Sequence, residues 1–261
     1  MLLRILLDAY KLFDRRWHLI LAAVAISVGL SDVVGLILST KFHLPTIILP
    51  SLSGSPFKLN YSDLIQDGLS TLMNYWFMGF VAFLALAEIE NRKIRFLNIA
   101  VSATTRYPKI LAVNIVAQVI MFFSFLLLLP ALAVPILGII FMIPAILLIV
   151  WFSLITPVAV MDNFRRIRDI LIRSRMLVYG YFWTILVAML ISLVPLFATL
   201  GFQTSTIYYW LLTTFIHLAI VILGALIIVS AYANLRVAKG EKLTVKLDKN
   251  MKEQAEESVD A

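Results

Sequence analysis

Apolar residues along the chain gather into long blocks, and the charged residues cluster between them. A helix needs about 20 mostly apolar residues to cross the hydrocarbon core of a bilayer. Residues 17–38 meet that requirement, and 69–87 meet it less fully because Gly68, Asn74 and Gly79 dilute the block. Residues 110–161 form a run of 52 without Asp, Glu, Lys or Arg. That is too long for one span and suits two, with PALAVP at 130–135 as the turn, since proline lacks a backbone donor and interrupts helical bonding. Residues 182–200 and 208–232 supply the last two blocks, separated by GFQTST. The pattern predicts an all-α, polytopic membrane protein with six transmembrane helices at 17–38, 69–87, 110–129, 136–158, 182–200 and 208–232.

The polar intervals have a pattern of their own. In the stretch FRRIRDILIRSRMLV, a helical wheel puts Phe164, Ile167, Ile170, Leu171, Leu177 and Val178 on one face. Arg165, Arg168, Asp169, Arg173 and Arg175 take the other, Arg166 stands at the border, and Ile172 is the exception. Asp169 lies four residues from both Arg165 and Arg173, a spacing that supports a helix by local ion pairs. A helix with a basic face and an apolar belly lies in the membrane interface rather than across it. The same design precedes the first span, where Arg4, Asp8, Lys11 and Arg15 align, and the third, where Arg95, Asn98, Ser102, Thr105 and Arg106 align. Three amphipathic helices, each followed by a hairpin of spans, therefore form an expected internal repeat, although topology signals alone would produce much of the same pattern.

Charge gives an orientation. Under the six-span reading, 20 of the 22 lysines and arginines fall on one side, and Lys41 and Lys58 alone on the other. Cationic loops favour the cytoplasmic side, so both termini are expected there, in a cell membrane. Each basic residue near an anionic leaflet adds roughly 1 kcal/mol of attraction. Arg165, Arg166, Arg168, Arg173 and Arg175 are thus the candidate lipid-headgroup contacts, and anionic membrane lipids the expected partners. Nucleic acid is set aside as a partner despite the net charge of +7, because these arginines are placed against a membrane.

Composition agrees with the block pattern: 62% of the chain is hydrophobic and 14% charged, against roughly 45–50% and 25% in soluble domains. The chain has no cysteine, which removes disulfides and thiolate chemistry. Its opening stretch, interrupted by charges, does not read as a cleavable signal peptide. Residues 1–235 are expected to form a single membrane domain. Residues 236–261, basic and then acidic, are expected to form a disordered cytoplasmic tail.

The segments TTRYPKILAVNIV and ITPVAVMDN, with the double run between them, resemble the membrane-domain family named after glycerophosphoryl diester phosphodiesterases. SRMLVYGYFW and SAYANLRVAKGEK look like later elements of that family, with Ser174, Phe182 and Trp183 fitting its pattern. Arg175 stands where a tryptophan is usual, and MDN replaces a common glutamate-asparagine. The resemblance covers 94–242 and implies a six-helix integral membrane domain. The phosphodiesterase activity belongs to a soluble barrel fused to some members, and no such barrel is expected here.

Chemistry is sparse in the sequence. There is no phosphate-binding glycine loop, His-Glu metal helix or nucleophile elbow. His18, His43 and His217 are scattered without metal-site spacing, and LSGSP at 52–56 reads as a turn rather than a serine nucleophile. No catalytic residue, cofactor or metal site is therefore expected. Asp32 is the sole carboxylate inside an expected span, and helix rise puts Asp32, Asn74 and His217 at similar depth in the outer half. These three are the candidate intramembrane polar site, with Asp32 and His217 as a buried pair able to relay protons or bind a cation. The structural alternative has Ser31–Asp32 capping a short helix, VVGLIL, where the first span breaks. Asn114 and Gln118, one turn apart, are expected to bond to neighbouring helices, and Ala25-x-x-x-Gly29 to allow close helix packing. A non-enzymatic component acting on lipid or protein, with an assembly, envelope-homeostasis or accessory role, is the function these features favour. A small-solute permease using Asp32 and His217 is the alternative.

Overall fold

The computed structural model describes residues 1–41, 46–49, 57–90, 94–126, 135–162, 164, 166–197 and 207–241. Expectations for the turn at 130–135, for LSGSP, for His43, for Arg165 and for the tail from 242 onward lie outside the described residues. The elements run α1 (Leu2–Lys41), β1 (Thr46–Leu49), β2 (Phe57–Asn60), α2 (Tyr61–Ile89), α3 (Phe96–Leu126), α4 (Pro135–Phe152), α5 (Ile155–Met161), α6 (Ile167–Val178), α7 (Phe182–Ser192), α8 (Val194–Phe197) and α9 (Ile207–Ala238). Helix dominates. The all-α expectation made no provision for β1 and β2, an antiparallel hairpin pairing Thr46 with Asn60 and Leu49 with Phe57.

Among the described residues five helices are long and apolar enough to cross a membrane, or six if the bent pair α6–α7 is counted as one span. Helix ends depart from the expected spans wherever amphipathic and apolar segments fuse. In α1 the expected interfacial segment and span form one helix with a kink at Arg16, where φ is −132° and ψ 18°. The Arg16 side chain there reaches Glu88 on α2 at 2.8 Å. In α3 no break separates the two segments, and Pro108 sits inside the helix. One proline removes a single backbone bond, which a helix packed on its neighbours tolerates. The expected span at 136–158 is instead divided into α4 and α5. Pro157 has no N–H to give the Ser153 carbonyl, and the Ser153 hydroxyl donates back to the Val150 carbonyl at 2.8 Å.

The second block, the most diluted in sequence, forms the centre of the bundle. Phe77 and every residue from Phe80 to Leu86 of α2 are buried, and α1, α3, α5 and α9 pack around it. A helix that packs against four others need not match the apolarity of one that faces lipid. Gly79 permits the approach of α3, because a Cβ there would stand 2.8 Å from Ile110 Cδ1. The small-residue motif at Ala25 and Gly29 has no such role: both are exposed, and nothing lies within 4 Å of a Cβ at Gly29.

Between α6 and α7 the chain turns through 97°. Gly180 makes that corner with φ 89°, a left-handed conformation that glycine adopts without Cβ strain. Gly180→Ala is expected to destabilise the bundle by about 1 kcal/mol, read as a lower thermal unfolding midpoint in detergent. An unchanged midpoint would remove the steric account of the corner.

Candidate functional site

Polar side chains collect in three places along the bundle. At the end carrying the hairpin, Asp32, Asn74 and His217 line one cavity of about 410 Å³ together with Ser27, Ser31, Ser70 and Thr214. Three helices thus bring the three sequence candidates to one space. Their state differs from the expectation of a buried pair, because Asp32 and His217 are both exposed. Asp32 Oδ1 accepts a hydrogen bond from Gln66 Nε2 at 2.9 Å, and among the described residues no ion pair joins it to His217. Gly35 is required for that bond, since the Gln66 side chain crosses the space a Cβ would fill. The alternative of a helix cap is also corrected. Helix α1 runs unbroken through Ser31 and Asp32, and the Ser31 hydroxyl donates to the Val28 carbonyl at 2.8 Å instead.

Halfway along the bundle, the amides of α3 reach across to other helices. Asn114, buried, donates to the Ile110 carbonyl at 2.8 Å and to Thr156 Oγ1 on α5 at 3.2 Å. Gln118 donates to the Tyr75 hydroxyl on α2. These groups border a cavity of about 210 Å³ at the α4–α5 break, with Ser153, Met121 and Phe152 on its wall. Each amide satisfies itself on protein, which is the default use of such residues in lipid.

The end carrying the termini holds a charge network built around Asp162, the residue after α5. Asp162 Oδ1 accepts from the Tyr232 hydroxyl at 2.8 Å and from Arg236 Nη1 at 3.1 Å. Its Oδ2 lies 3.4 Å from Arg173 Nε on α6. Glu241, just beyond α9, pairs with Arg173 and, at 3.2 Å, with Arg236. Burial works against ionising Glu241, but Arg173 and Arg236 outweigh it and hold the carboxyl below its ordinary range. Its contribution to stability is therefore full above the unfolded pKa of about 4.3 and is lost as pH falls through the lower folded value. Arg106 of α3 joins the same end by donating to the Val160 carbonyl at 3.2 Å. The Ser174 hydroxyl, also buried, donates to the Trp151 carbonyl. Expected as the start of a disordered tail, residues 236–241 instead complete the bundle.

The candidate headgroup arginines are accordingly not equivalent. Arg173 is half-buried and engaged by Asp162 and Glu241. The Arg175 guanidinium lies over the Trp151 ring, 4.6 Å from its centre. Arg166 and Arg168 are exposed, with no acidic partner among the described residues. The apolar face of α6 read from the wheel is the buried one, with Ile170, Leu177 and Val178 at 0% exposure. That face packs on α3, α4, α5 and α9, so protein rather than lipid covers it. No family model, curated protein or solved structure matches the chain.

Sequence reasoning gave Asp162 no role of its own. Its signal was position: it is the first acid after 52 uncharged residues, where a carboxylate meets the end of the bundle. Asp162 is 10% exposed and Arg236 12%, and removing one partner of a buried pair costs about 3–5 kcal/mol. Asp162→Asn is expected to lower stability by a large part of that range and to loosen α6, seen as faster amide exchange across 167–178. A variant as stable as the parent would show that the network is not structural.

Proposed function

We propose that the chain is a multi-pass integral membrane component that acts through contact with anionic lipid headgroups at its basic end, without catalysis of its own. One observation carries this reading: Arg166 and Arg168 project from a helix bent 97° from the one that follows, with no acidic partner among the described residues. Six crossings follow if α7 and α8 cross and α6 stays in the interface, its basic face outward and its apolar face on the bundle. Both termini are then cytoplasmic, and the helix ends at that side meet the anionic leaflet. Exposed Leu3, Phe122, Phe123, Ile143 and Phe215 supply the apolar flank that lipid would cover. Membership of the family named after glycerophosphoryl diester phosphodiesterases is part of the proposal. Its support is that Asp162 and Ser174, with Tyr232 and Arg236 of the SAYANLRVAKGEK segment, all lie in the terminal charge network or beside it.

A second reading is favoured by a separate observation, the cavity shared by Asp32, Asn74 and His217. A small-solute permease would use that carboxylate and imidazole at the hairpin end to bind a cation or move a proton. Co-purification separates the two readings. A stoichiometric solute lost on Asp32→Ala would favour transport, and retained anionic lipid the first reading.

Replacing Arg166 and Arg168 together with glutamine is expected to weaken retention of anionic lipid on the order of tenfold or more, at about 1 kcal/mol per residue. Lipid mass spectrometry of the purified variant at low salt measures this, and an unchanged lipid complement would overturn the headgroup role. Topology has its own test. Reporters fused in the loop after residue 50 and at the carboxyl end are expected on opposite sides of the membrane, and both on one side would refute the crossing pattern.

A further inference from the structure

The first fourteen residues of α1 present three faces. Ile5, Ala9 and Leu12 are buried, whereas Leu3, Leu7 and Tyr10 are exposed apolar residues, Leu3 by 70%. The third face, Arg4, Asp8, Lys11 and Arg15, lines a groove of about 260 Å³ against α2 and α9. An apolar floor of Leu12, Ala85 and Val229 leads from that groove into the bundle. Charge within it is divided. Arg15 is engaged at 3.2 Å by Glu88, which Arg16 also engages at 2.8 Å. Asp8 Oδ2 accepts from buried Asn234 at 2.8 Å, which fixes the carboxylate while Oδ1 has no hydrogen bond among the described residues. Arg4 and Lys11, one turn to either side of Asp8, are exposed and have no acidic partner among the described residues.

We infer that this groove binds a zwitterionic aminophospholipid of the ethanolamine type, its primary ammonium on Asp8 and its phosphodiester on a flanking cation, Arg4 or Lys11, one turn away. The inference rests on the proposed lipid-contact reading and names one lipid and one site for it. Charge complementarity selects the occupant. A purely anionic headgroup would place its charge beside the fixed Asp8 carboxylate, whereas an ammonium three to four atoms from the phosphate meets both signs at the spacing of one helical turn. A lipid rather than a free solute fits because the apolar floor and the exposed Leu3, Leu7 and Tyr10 face flank the charged rim. A quaternary ammonium has no N–H to donate to Asp8, so choline lipids lose that bond.

The test uses the full chain purified from membranes and supplied with equal amounts of dioleoyl phosphatidylethanolamine, phosphatidylcholine and phosphatidylglycerol. Lipid retained through delipidating washes is read by native mass spectrometry. The parent is expected to retain the ethanolamine lipid about fivefold over the choline lipid, the worth of one such hydrogen bond. Asp8→Asn is expected to abolish that preference while keeping phospholipid bound, and Asp8→Glu to restore it. Arg4→Gln with Lys11→Gln is expected to reduce retention of all three lipids. Arg166→Gln with Arg168→Gln, outside the groove, is expected to leave the preference intact. Retention of the three lipids in the ratio supplied overturns this site. If loss of anionic lipid on removing Arg166 and Arg168 persists in that case, the wider lipid reading stands without it. No retained phospholipid at all overturns both.

Discussion

The Asp162 carboxylate is the point on which the terminal end of the bundle is assembled. Three chain segments distant in sequence converge on it: its own, at the end of the uncharged run; α6 through Arg173; and α9 through Tyr232 and Arg236. Taking these charges out of water carries a desolvation cost that only good geometry offsets. Here one carboxylate has both oxygens engaged, and Glu241 shares the two arginines, so neither cation is left alone. The consequence reaches α6. With Arg173 held and Ser174 bonded to the Trp151 carbonyl, the helix has one orientation, and its apolar face is closed against the bundle. Arg166 and Arg168, nearer the start of α6 and beyond the reach of that network, stay exposed.

Much of the helical order was legible because its cause is local. Block length marks out the long apolar helices, and the α6 wheel identifies the face that is buried. What covers a face is not a local property. An apolar stripe on a basic helix satisfies lipid and protein equally well, and nothing in FRRIRDILIRSRMLV distinguishes α4 and α5 from acyl chains. The same reasoning explains why the most diluted block became the central helix: dilution by Asn74 and Gly79 reads as weakness for a lipid-facing span, yet Gly79 is what admits α3. Asp32, Asn74 and His217 were assembled from depth alone, and helix rise is regular enough for that to place them around one cavity. Their pairing was not legible, since Gln66, a residue outside the expected span, holds Asp32.

Two of the cavities lie in one seam. Helices α1, α2 and α9 line both the Asp32 cavity at the hairpin end and the Arg4–Asp8 groove at the terminal end. Between them the seam is closed by buried Ile20, Ala23 and Val24, by Phe77, Val81 and Leu84, and by Ala225 and Leu226. From Asn74 to Ala85 this amounts to about 16 Å of helix. A solute moving along the seam would have to part three helices over that length and expose apolar side chains on each. A lipid held at the terminal end asks for no such movement.

The character of the two ends bears on the same choice. At the hairpin end the carboxylate already has a neutral amide partner, and among the described residues no ion pair joins it to the imidazole. At the terminal end several charges are held by neighbours: Glu88 bridges Arg15 and Arg16 at the α1 kink, and Asn234 orients Asp8. Ordered charge of both signs at the rim of an apolar groove suits the proposed lipid reading better than a conduit, because its parts are already positioned for a ligand that carries both signs. The kink at Arg16 falls where Glu88 of α2 engages α1, beside the groove that α1, α2 and α9 line.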